Sequence, residues 1–219
     1  MFILNYWKKK VTIKTRQRII EQAIVLFNQD GCMNVSMQRL AEALSLSPGN
    51  LTYHFPKKEN LMLALYDYFQ EEILKIIPAP EKNIPSLLDI DEQITQFYNL
   101  QQRFLFFYLD LLEIERSYQK IAQRHYKHIE NQISSIQSSL QYNESLGYLQ
   151  HSISAKTYHM LAKQLWFTAV FWPKQCRVRG IPDRLEDMRE SLWSQIQPFL
   201  TAEGRSYLLS AQLNVGKNL

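Results

Sequence analysis

The stretch "LSLSPGNLTYHFPKK", residues 44–58, decides the fold. Ser47 suits a helix N-cap, because its hydroxyl can accept from an N–H of the first turn. Pro48 then falls at N1, where its missing N–H costs nothing. Leu46 and Leu51 stand at the N′ and N4 positions of a hydrophobic staple. Pro56 ends this short helix, since the residue before a proline avoids the α region. Upstream, Ser36 is a second N-cap, with Val35 and Leu40 as its staple and Leu40, Ala41 and Leu44 inward. Two short helices therefore flank a Leu44-Ser45-Leu46 turn, the layout of a helix-turn-helix. Before them, Ile19, Ile20, Ala23, Ile24 and Phe27 recur at helical spacing, and Asp30-Gly31 ends that helix.

The second helix of such a unit puts its first residues against base edges in the major groove. Here those are Ser47, Pro48, Gly49 and Asn50. Gly49 lets backbone approach phosphate, and Asn50 can pair with a base edge, adenine best. Tyr53 and His54 offer a hydroxyl and an imidazole to phosphates. The alternatives are a half-buried brace for Tyr53 and a plain surface histidine for His54. Lys58 adds an ammonium to a helix N-terminus that already favours an anion.

Residues 16–69 resemble the N-terminal domain of the TetR family of bacterial transcriptional regulators. The resemblance rests on a first helix ending in DG and on "VSMQRLAEALSLSPGNLTYHFPKKENL", residues 35–61. Its most specific part is the run from Ser47 through Gly49, Asn50, Leu51, Tyr53, His54, Phe55, Lys58 and Glu59 to Leu61. It implies an all-helical homodimer on operator DNA, whose variable C-terminal domain binds a small molecule that releases the DNA. It also implies DNA contacts from Ser36, Gln38, Pro48, Gly49, Asn50, Thr52, Tyr53, His54 and Lys58. Three positions depart from the family pattern. Ser45 stands at a turn usually held by glycine, Thr52 replaces a frequent tyrosine, and Lys57 replaces a better N-cap.

Charge agrees with this polarity. Residues 1–58 hold nine Lys/Arg against three Asp/Glu, whereas residues 59–219 hold sixteen against eighteen. The basic end is the one a nucleic acid requires. The arm MFILNYWKKKVTIKTRQR reads as a solvated terminus or as a basic arm reaching backbone or minor groove. Only six glycines in 219 residues favour long helices over turn-rich β architecture. No apolar run is long enough to span a membrane, and the opening residues have the wrong order for a signal peptide. Cys32 and Cys176 lie far apart and read as free thiols. These features point to a cytoplasmic chain.

The expected architecture is all-α. It comprises an arm and three-helix DNA-binding domain at 1–57, a connecting helix at 58–77, and a larger effector-binding and dimerisation domain at 78–219. The segment PAPEKNIP, 78–85, marks the boundary. Beyond it, single helices are expected at 91–115, 117–141, 155–172 (stopped by Pro173) and 184–200, with a short one near 203–213.

In the C-terminal domain, Phe104, Phe107, Tyr108 and Leu111 share one helical face, and Trp166 and Phe167 crowd another. Such stripes are core residues or the walls of a ligand pocket between helices. Tyr158, Leu165 and Ala169, with Leu185, Met188, Leu192 and Ile196, form two stripes suited to a four-helix interface between two copies. His125 and His128 share a face, but Glu130 lies off it, so no metal site is expected. No phosphate loop or nucleophile motif stands out, so neither a cofactor nor enzymatic activity is expected. The reading is a sequence-specific homodimeric repressor released from double-stranded operator DNA by a small apolar or aromatic ligand. The alternative is a ligand-independent or architectural DNA-binding protein with the same N-terminal domain.

Overall fold

The structure, a computed structural model, describes residues 2–77, 84–151 and 154–215, with side chains for 14–77, 84–151 and 154–209. The side chains of the aromatic arm, and most of the 78–85 break, lie outside the described residues. The described residues are mostly helical. The elements are α1 (Phe2–Asp30), α2 (Met37–Ala43), α3 (Pro48–His54), α4 (Lys58–Ile76), α5 (Leu87–Arg103), α6 (Leu105–Leu109), α7 (Leu111–Ser117), α8 (Gln119–Ser145), α9 (Ala155–Arg179), α10 (Leu185–Ile196) and α11 (Ala202–Val215). Among the described residues, extended pairing is limited to one isolated bridge between Leu149 and Leu200.

The chain divides into two units, Met1–Glu71 with Arg103–Ala122, and Glu72–Gln102 with Gln123–Leu219. In the first, Ile19, Ile20, Ala23 and Phe27 of α1 pack inward together with Leu40, Leu51, Phe55, Leu61 and Leu65, all buried. Gly31 ends α1 with φ +80°, where glycine carries no Cβ penalty. Cys32 and Cys176 are free and buried. Burial, then the Asp110 carboxylate, pushes the Cys32 thiol up to about 12, so it stays protonated at neutral pH.

The expected single helix over 91–115 is broken twice. The Asn28 side chain explains the first break: Nδ2 donates to the Arg103 carbonyl at 2.8 Å, and Oδ1 accepts from the Phe106 N–H at 2.9 Å. One amide thus takes over groups the helix ladder would have used. At the second break, the Asp110 carboxylate accepts the Cys32 N–H at 3.0 Å. The short α6 between them drives Phe106 edge-on against Phe27, with centroids 5.3 Å apart.

The second unit has its own core, built from Ile94 and Phe97 of α5, Ile133 and Leu140 of α8, Leu161 and Leu165 of α9, and Met188 and Leu192 of α10. Here α9 runs through Pro173 instead of stopping there, and ends at Gly180 with φ +65°. Proline has no N–H to offer the carbonyl four residues back. Fully buried Gln101 supplies the missing donor, from Nε2 to the Ala169 carbonyl at 2.9 Å. The helix therefore continues to Arg179, past the expected stop at Pro173. At the end of the unit, Thr201 Oγ1 accepts the Gly204 N–H at 3.0 Å and starts α11.

Candidate nucleic-acid interface

Each cap read from the sequence is formed. Ser36 Oγ accepts the Arg39 N–H at 3.1 Å, and Ser47 Oγ accepts the Asn50 N–H at 3.2 Å. Between the two helices, Ser45 N–H bonds to the Glu42 carbonyl at 3.0 Å and Leu46 N–H to the Ala41 carbonyl at 2.9 Å. This is a Schellman closure, which requires a left-handed residue at its centre. Ser45 holds it with φ +54°, despite its side chain.

Leu51 and Phe55 anchor α3 inward, both buried. Its opposite face is exposed: Pro48, Gly49, Asn50, Thr52 and Tyr53, the last at 75%. No acidic residue occurs anywhere in 44–58. A Cβ on Gly49 would meet nothing within 4 Å, so the chain's own packing does not call for glycine there. Tyr53 and His54 meet edge to face at 5.2 Å, with His54 half-buried. The Thr52 hydroxyl donates to the Pro48 carbonyl at 2.8 Å, which commits its proton within the helix.

Two expected contacts are held by other partners. Gln38 Nε2 donates to Glu42 Oε1 at 3.0 Å along the exposed side of α2. Lys58 turns back to the α1–α2 loop, where Nζ donates to the Met33 carbonyl at 3.3 Å and lies 5.7 Å from the Phe27 ring centre. Burial lowers the pKa of this ammonium. Lys57 does not leave the start of α4 open either. Its N–H donates to Asn60 Oδ1 at 3.1 Å, the return half of a capping box. Arg16, not singled out by sequence, stacks its guanidinium 5.0 Å from the Phe55 ring centre beside α3. Its place one turn before Ile19 and Ile20 was the available signal.

The expected pocket residues separate. Phe104, Phe107 and Tyr108 are buried in the first unit, with centroids 5.4, 5.1 and 5.9 Å from that of Phe69. The Asn28 clamp is the reason, because it turns this segment into the first unit's core. Leu111 is half-buried in the same unit. In the second unit a cavity of about 120 Å³ forms between α5, α8, α9 and α10, and Trp166 lines it. Phe167 points outward, 57% exposed.

The expected dimer stripes are largely interior as well. Tyr158, Leu165, Met188, Leu192 and Ile196 are buried within a single chain, and Ala169 and Leu185 are half-buried. Each of the two helices spends that face on its own unit. Exposed apolar side chains lie elsewhere on α9, at Met160, Phe167 and Val178.

A capped helix-turn-helix in the first unit, with a larger and mainly helical second unit, is the architecture of a DNA-binding transcriptional regulator. The comparisons with known proteins agree. Residues 19–65 match the profile described as "Bacterial regulatory proteins, tetR family", and residues 68–208 match "TetR: Bacterial transcriptional repressor". The chain belongs to the TetR family, whose members are DNA-binding transcriptional regulators and not enzymes. It is 27% identical over 117 residues to the probable HTH-type transcriptional regulator YttP of Bacillus subtilis, a match covering 53% of this chain and 51% of that one. The chain spans about half the length, or less, of the curated relatives it matches. Its fold is similar to a TetR-family regulator from Marinobacter aquaeolei, with TM-score 0.80 and 20% identity, covering 91% of this chain and 98% of that one. It is also similar to a putative transcriptional regulator from Saccharomonospora viridis in complex with choline, with TM-score 0.66 and 18% identity, covering 84% and 96%.

Proposed function

We propose that the chain acts as a homodimer that reads operator DNA with α3 of each copy, represses transcription there, and is released by a small apolar or aromatic molecule. The observation that carries this reading is the outer face of α3. Pro48, Gly49, Asn50 and Tyr53 are exposed on a helix whose start is fixed by Ser47, and residues 44–58 contain no acid. Such a face fits the major groove and repels no phosphate. Two copies placed about 34–36 Å apart would meet successive grooves on one side of B-DNA.

The chemistry of each remaining part supports the same reading. The outward Met160 and the Phe167–Phe171 stack, with centroids 4.7 Å apart, form an apolar surface that a second copy would cover. The apolar cavity of the second unit is suited to a small molecule, as is the choline-bound neighbour's fold. No helix among the described residues is long and apolar enough to cross a membrane, and the reading places the chain in the cytoplasm with its DNA.

The test begins with duplexes selected from a randomised pool, followed by anisotropy titrations. Asn50→Ala should change base preference at one position of each half-site. If preference and affinity both stay as they were, α3 is not the reader. Sedimentation checks the dimer: the intact chain should sediment as a dimer at micromolar concentration, and Phe167→Asp should shift it to monomer.

A further inference from the structure

We infer that the cavity of the second unit takes an uncharged, single-ring aromatic molecule carrying a hydrogen-bonding group such as a hydroxyl, and rejects ammonium and carboxylate compounds of the same shape. The inference rests on the proposed reading of this unit as effector-binding and adds the chemical class of the effector.

Size sets the first bound. A cavity of about 120 Å³ is of the order that holds one benzene-sized ring. Its walls are mostly aliphatic, with Ile94, Ile136 and Val170 among them, and Phe97 and Trp166 add two aromatic surfaces.

Charge sets the second. None of the described lining residues is Asp, Glu, Lys, Arg or His. A carboxylate would leave water with no cation to meet it, and an ammonium with no carboxylate. Aromatic faces attract cations, but two rings return less than the desolvation of an ammonium costs.

The remaining polar groups call for a hydrogen-bonding substituent on the ligand. The Trp166 indole N–H is committed to Gln132 Oε1 at 2.9 Å, which leaves the Gln132 Nε2 hydrogens without a described partner. Ser139 has spent its hydroxyl proton on the Pro85 carbonyl at 3.2 Å. Gln93 and Ser138 also line the cavity, and among the described residues no side-chain hydrogen bond engages either of them. Both donors and acceptors therefore stand at an otherwise apolar wall, since an amide and a hydroxyl each offer both. A phenol, ketone or ester oxygen would satisfy one of them without bringing a charge inside.

The test uses the full chain at neutral pH and three probes of one shape: p-cresol, 4-methylbenzylammonium and 4-methylbenzoate. Binding is followed by calorimetry. p-Cresol should bind at least about tenfold more tightly than either ion. Ala169→Leu and, independently, Ser138→Leu fill the cavity from different helices, and each should weaken p-cresol by a similar factor while the helical circular dichroism stays unchanged. An ion that binds as well as p-cresol, and is lost in both variants, overturns the charge rule and leaves the unit as effector-binding. If no probe binds, or if binding ignores both filled variants, the cavity is not the site, and the small-molecule half of the proposed function falls with it.

Discussion

Gln101 Nε2 lies 2.9 Å from the carbonyl oxygen of Ala169, the group that Pro173 leaves without a helical donor. A buried carbonyl with no partner costs about 1–3 kcal/mol. Gln101→Leu should therefore destabilise the chain by about 2 kcal/mol in urea denaturation. Pro173→Ala restores an N–H four residues on, so in that background the same substitution should cost much less. The double-mutant cycle reads the difference directly. Equal costs in both backgrounds would show that the amide does not compensate for the proline.

This pair also shows which parts of the fold are legible in sequence. Caps are local. Ser36, Ser47 and Pro48 each act within three residues, so their helices could be placed from spacing alone. The breaks after Arg103 and at Asp110 are set instead by Asn28 and Cys32, 75 and 78 positions away. Neither an asparagine nor a backbone N–H announces such a reach. Read-through at Pro173 depends likewise on a glutamine from another helix. Periodicity found the buried faces of α9 and α10, but a stripe looks the same whether its own chain or a second copy covers it. In the DNA-facing unit, exposure on α3 followed from the motif. The turning-in of Lys58 did not, because the open Met33 carbonyl is a feature of the loop's path.

Ser45 offers a measure of turn strain. A side chain in the left-handed region costs about 1–2 kcal/mol, and the observed φ is +54°. Ser45→Gly should relieve this, offset by the extra freedom glycine gives the unfolded chain. A net stabilisation of about 0.5 kcal/mol is expected, read as a higher urea midpoint with unchanged slope. A lower midpoint would mean that the serine side chain contributes more than the strain removes.

His125 gives the second unit a pH dependence. Burial, and then the neighbouring His128, lowers its pKa from the ordinary 6.5 to about 4. The unfolded chain thus binds a proton on this ring at higher pH than the folded chain does. Stability from this group is fully present above about pH 6.5 and is lost as pH falls towards 4, at up to about 1.4 kcal/mol per pH unit. His125→Gln should flatten the stability profile in that window by as much. A parallel profile for the variant would assign the acid sensitivity to other groups.

Gly49 separates folding from DNA recognition more sharply than any charged residue of the site. It lies in the first turn of α3, where alanine is intrinsically favoured over glycine by about 1 kcal/mol. A methyl group there touches nothing in the chain. Gly49→Ala should therefore leave stability unchanged or raise it by up to that amount. In the proposed complex the same methyl would stand between the α3 backbone and a phosphate, and affinity for a selected duplex should fall about tenfold or more. Lys58→Met, by contrast, removes a charge without adding bulk. It should weaken binding to all sequences alike and lower the salt slope by about one unit if the ammonium leaves Met33 for a phosphate. Chemical denaturation and anisotropy on the same preparations decide both cases. A Gly49→Ala chain that is as stable as the parent and binds duplex equally well would remove the first turn of α3 from the interface.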